Sequence, residues 1–141
     1  MTDMRDVAFR ILVLRAGEGA EIPAIADAAQ RAYDDLVRVS APLIGSVAVD
    51  ALTGRALFFV QQQYSWLAVA QETREWSGPF AQVAFCIERR APAEAAEAAG
   101  AILATLTELF ITFIGQALTA RLLQEAWPEA FTDVEPRRHK A

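Results

Sequence analysis

The chain is 141 residues long, 54% hydrophobic and 22% charged, with a formal net charge of −5. That length fits one domain, the apolar share excludes a disordered or collagen-like chain, and the acidic balance argues against a nucleic-acid binder, which needs a basic surface. The single cysteine, Cys86, and the single histidine, His139, exclude a disulfide framework and most zinc or haem sites.

Alanine occurs 29 times, and Leu, Gln, Glu and Arg supply much of the rest, the residues that lose least on entering a helix. Twelve arginines against one lysine, together with the alanine excess, point to a GC-rich bacterial genome. The first residues carry Asp3, Arg5 and Asp6, and no small-residue cleavage site follows an apolar run, so no signal peptide is read and a cytoplasmic location is expected. One cysteine without such a signal fits a reducing compartment.

In chain order, Arg5 to Ala16 places Val7, Ile11 and Leu14 at helical spacing, although Val7, Phe9, Ile11 and Val13 also alternate as a strand would. With no turn chemistry nearby to supply a hairpin partner, a helix over about 4–16 is expected, stopped by Gly17-Glu18-Gly19. Pro23 suits the first turn of a second helix, expected over 23–39, whose stripe is Ile25, Ala29, Ala32, Leu36 and Val39. Ser40 reads as a cap and Pro42 as the first turn of a third helix, expected over 41–71. Gly45 and Gly54 fall inside it and mark a kink or a close helix approach.

Trp76-Ser77-Gly78-Pro79 is a loop signal. A short helix is expected over 80–90, where Ala81, Val83, Phe85 and Ile87 again alternate and leave a strand as the alternative. Pro92 opens the last helix, expected over 92–126, with Glu94 and Glu97 at the positive end of its dipole. Its stripe runs through Ile102, Leu103, Leu106, Phe110 and Phe113 to Leu118. Such a helix would be about 50 Å long, so a bend at Gly100 or Gly115 is expected. The expected fold is all-α: a compact bundle of four or five helices with two long central ones, at about 41–71 and 92–126. It forms one domain over 1–127, followed by a disordered tail over 128–141.

ALTGRAL (Ala51 to Leu57) and ALTARLL (Ala117 to Leu123) share five of seven residues. A duplicated helix packed about a pseudo-two-fold axis would present Arg55 and Arg121 together. Chance likeness between two alanine- and leucine-rich helices is the plainer explanation, and there is no third copy.

The chemical inventory is thin. His139 sits in a basic tail, Cys86 has no base in sequence reach, and no phosphate-cradling, dinucleotide, zinc or serine-elbow motif occurs. No cofactor and no metal are expected. Asp34-Asp35 reads as a solvated face. Glu108 is the only charge between Glu97 and Arg121. It faces water beside Thr105 and Thr112, or lies buried against Arg55 or Arg121, since a carboxylate out of water needs a partner. The uncharged window around it is long enough to cross a bilayer, but its Ala, Thr and Gly content and its central carboxylate argue against a span. Phe58, Phe59, Tyr64, Trp66 and Trp76 cluster where the expected third helix ends, and they pack in the core or form a contact surface.

The expected function is a non-enzymatic helical interaction or regulatory (signalling) module. It would self-associate as a homodimer or larger homo-oligomer and bind another protein, with Arg55, Glu108, Arg121, Tyr64, Trp66 and Trp76 as candidate interface or ligand residues. A small-molecule sensor or carrier with a pocket between the long helices is the alternative. A membrane-associated single span is the weaker third reading.

Overall fold

The computed structural model describes residues 4–17, 21–64 and 91–132. The expected helix over 80–90, the 65–71 end of the expected third helix, Trp66, Trp76, Cys86 and His139 lie outside them. The described residues form six helices and no strand: α1 (Met4–Ala16), α2 (Ile22–Ile44), α3 (Ser46–Gln61), α4 (Pro92–Ile114), α5 (Gln116–Ala126) and α6 (Glu129–Thr132). The fold is an all-α bundle, and segment 7–14 is helix.

α1 buries Val7, Ala8, Ile11 and Leu12 and lies along α4, with further contact to α2 and α6. Its end is made by Gly17, at φ 94°, whose N–H donates to the Val13 carbonyl at 2.8 Å. Of the two bends expected, at Gly100 or Gly115, only the one at Gly115 occurs; α4 runs on through Gly100, where the Phe9 ring of α1 occupies the space a Cβ would need. Only a hydrogen at that position lets α1 settle on the middle of α4.

The expected break at Ser40 is not there. Ser40 is fully buried inside α2, and its Oγ donates to the Leu36 carbonyl at 2.6 Å. A serine that bonds its own preceding turn cannot cap a following one, so α2 runs on through Pro42 to Ile44. The chain breaks at Gly45 (φ 94°, ψ 145°), and the expected last helix breaks at Gly115 (φ 95°, ψ 159°). Both lie in a region that is essentially closed to side chains. The two long helices are therefore 22–44 and 92–114, in place of 41–71 and 92–126; α3 ends at Gln61.

The two breaks have one design. Each glycine N–H donates to the carbonyl four residues back (Ala41 and Ile111, both 2.8 Å), and each glycine carbonyl accepts the first bond of the next helix, from Val49 at 3.2 Å and Thr119 at 3.1 Å. Each short helix then packs back on its long one. In the first hairpin the return is pinned by the buried pair Tyr33 and Thr53, 3.0 Å apart. Burial repeats between the hairpins at the spacing of Gly45 to Gly115: Ala29 with Ala99, Leu36 with Leu106, Val49 with Thr119, Ala56 with Ala126, Val60 with Ala130. This is a duplicated helix–glycine–helix unit, but in a register of 70 residues. The ALT similarity runs at 66, so its two threonines sit one helical turn apart in the structural alignment.

The chain beyond Pro128 was expected to be a tail. Instead, α6 follows at once, Ala130 is buried, and the side chain of Glu129 meets Arg15. Residues 133–141 are outside the described part.

Candidate functional site

The turns around Gly45 and Gly115 carry no charge from Val39 to Val49 or from Leu109 to Ala120. Leu43 and Phe113 occupy equivalent places two residues before each glycine and are 53% and 57% exposed; Val47, just beyond Gly45, is 81% exposed. The two turns share an end of the bundle, because an open groove of about 340 Å³ there is lined by residues near both. Val39, Pro42 and Leu43 from α2 face Leu118, Arg121, Leu122 and Glu125 from α5. The floor is aliphatic, and the rim holds one cation and one anion, both exposed. Such a lining suits an apolar body flanked by complementary charge.

The candidate residues scatter over this frame. Arg121 lies on the groove rim. Arg55 is exposed on α3, its guanidinium 5.4 Å from the centre of the Phe59 ring, while Phe58 stands edge-on to Phe59 and is 58% exposed. No packed interface joins α3 to α5, so Arg55 and Arg121 are not brought together. Glu108 is exposed, with Thr112 donating to its backbone carbonyl at 3.2 Å. The buried Glu108 is thus overturned; it stands exposed beside Thr112, with Thr105 half-buried on the same face. Tyr64, just past α3, packs against the core and meets Glu97 of α4. Burial, with the charge and hydrogen bond of Glu97, pushes its phenol pKa up.

The most elaborate polar cluster was missed. Arg15, at the end of α1, donates to Asp35 Oδ2 at 2.7 Å, to Glu129 Oε2 at 3.0 Å and Oε1 at 3.3 Å, and to the Ala126 carbonyl at 3.1 Å. Arg38 reaches the other Asp35 oxygen at 3.3 Å. Burial works against the Arg15 charge, but its bonds to Glu129 and Asp35 outweigh that and raise its pKa; the same bond to Arg15 holds Glu129 below its ordinary value. Asp35 is therefore part of a tie between four elements, α1, α2, α5 and α6, rather than a merely solvated acid. Beside it, the fully buried Trp127 donates from Nε1 to the Ala32 carbonyl at 2.9 Å. Every group in the cluster is matched, which suits a fastening. The spacing of Arg15, Asp35 and Glu129 carries no local signal.

Among the described residues no group of three His, Cys, Asp or Glu side chains could hold a metal ion. One helix among them, α4, is long and apolar enough to cross a membrane, and 56% of its most apolar stretch is buried inside the bundle. No known protein family, curated protein or solved structure matches the chain.

Proposed function

We propose that the protein is a non-enzymatic helical interaction module of the regulatory or signalling kind, and that it associates with copies of itself. The observation that supports this is the exposure of large apolar side chains at one end and along α3: Val47 81%, Phe58 58%, Phe113 57% and Leu43 53%. Exposed apolar residues gathered near two uncharged turns gain free energy by leaving water, and a second copy offers the same surface. Light scattering coupled to size-exclusion chromatography, on protein purified without detergent, tests the reading. An oligomer that dissociates on dilution is expected; a strict monomer at high micromolar concentration overturns it.

A small-ligand carrier is the second reading, favoured by the groove between α2 and α5. Its expected sign is a rise in melting temperature with an amphipathic anion, lost in Arg121→Ala. If Arg121→Ala leaves every ligand response intact, that reading fails.

A further inference from the structure

The duplication places a second face opposite the groove. An axis that exchanges α2 with α4 and α3 with α5 carries the groove lining onto Leu109, Thr112 and Phe113 of α4 and Ala48, Leu52 and Arg55 of α3. This face is not a copy of the groove. Phe113 stands where the groove has Leu43, and it projects with 57% of its surface exposed. The charges differ as well: at the spacing of 70, Arg55 takes the place of Glu125 and uncharged Ala51 that of Arg121, while the anion of this face, Glu108, answers to Arg38, which stands outside the groove lining.

The charges of the groove rim and of the α4/α3 face are also level with one another. Helical rise puts Arg121, six residues past Gly115, and Glu108, seven before it, each about 10 Å from the turn. Glu125 and Arg55, each ten residues past their glycine, both stand about 15 Å from it. All four are exposed, and neither Arg121 nor Glu125 has an ion-pair partner among the described residues. A groove with cation above anion thus matches a ridge with anion above cation, around an aromatic knob.

We propose that the α2/α5 groove is the docking site for the α4/α3 face of a second copy. Phe113 of the partner subunit enters beside Leu43 and Leu118, the partner's Arg55 meets Glu125, and the partner's Glu108 meets Arg121. This rests on the self-association proposed above and names its surface. Because groove and ridge lie on opposite sides of one molecule, the contact is head-to-tail. Each copy uses both, and the assembly grows as a chain or closes as a ring rather than stopping at a two-fold dimer.

Charge exchange tests it. Glu125→Arg alone and Arg55→Glu alone each set like charges against each other, and each is expected to weaken association by about tenfold or more. The double variant, and an equimolar mixture of the two single variants, restore opposite charges across every contact and are expected to associate within about threefold of the original chain. Both positions are exposed, so circular dichroism should not change, and the melting temperature should move only by the small loss of the Arg55–Phe59 contact. Should the single variants associate like the original, or the double variant fare no better than the singles, the docking is overturned while self-association stands, and the groove is left to another protein or a small ligand. Failure of the original chain to associate at all overturns both.

Discussion

The two hairpins, α2–Gly45–α3 and α4–Gly115–α5, have the same lengths of long helix, the same turn and nearly the same pattern of burial, yet they are filled by different chemistry. Where α2 turns Arg31 and Asp34 to water, α4 has Ala101 and Ala104, and both are buried. The cause is α1, which covers that stretch of α4 and seats Phe9 over Gly100. The threonines differ too. Thr53 donates to the Val49 carbonyl at 2.9 Å and accepts from Tyr33, whereas the Thr119 hydroxyl is buried with no partner. A backbone plan used twice therefore does not fix what fills it. Each copy is adapted to the neighbour that covers it.

The two hairpins differ most at their far ends. Leu57 and Trp127 occupy equivalent buried positions, but Trp127 also bonds to Ala32 and is fully enclosed. Trp127→Ala should cost about 3–5 kcal/mol in a denaturant melt, more than Leu57→Ala does. Next come the turns. Gly45→Ala and Gly115→Ala should each cost about 1–3 kcal/mol, by backbone strain alone, because nothing lies within 4 Å of either added Cβ. Gly100→Ala should cost a similar amount for a different reason, displacement of the Phe9 ring. A double-mutant cycle with Phe9→Ala should relieve its penalty and leave those of the turns untouched.

The threonines sharpen the comparison further, since one substitution should act with opposite sign in the two hairpins. Thr119→Val removes an unsatisfied buried hydroxyl at a position where the first hairpin already holds valine, and should stabilise by about 1 kcal/mol. Thr53→Val removes the hydroxyl that the buried Tyr33 bonds to and should destabilise by about 1–2 kcal/mol. If both substitutions shift the melting temperature the same way, the difference in satisfaction does not matter.

The smallest effect concerns pH. The bond from Arg15 lowers the Glu129 pKa, so its contribution is complete above the ordinary carboxylate value and is lost as pH falls through the lower folded value. Glu129 is 45% exposed, so the loss should stay under about 1 kcal/mol. Glu129→Gln should remove that acid step, and the docking of α6 on α1 should weaken at neutral pH.

Much of this fold was legible in the sequence. The stripe Ile25, Ala29, Ala32 and Leu36 is buried as its spacing implied, and Pro23 and Pro92 sit in first turns, where a missing N–H costs nothing. The turn at 40–45 was misplaced because Ser40 and Pro42 carry a start signal that burial of Ser40 overrides. Residues of the candidate site were legible only as charges within apolar surroundings. Arg121 found a groove and Glu108 found water, and nothing local distinguished them. The Arg15 cluster had no sequence signature, since its partners lie 20 and 114 positions away.

By itself, then, the sequence determined the helical class, the apolar stripes, and the few places where glycine could take a conformation closed to other residues. These follow from local rules of backbone sterics and helical periodicity. Only the tertiary structure decided which glycine became a turn and which a contact, since Gly45, Gly115 and Gly100 look alike until a neighbour is placed beside them. It also decided which hydroxyl is satisfied and which charges face one another, because pairing depends on distances that close only when helices far apart in the chain are packed together.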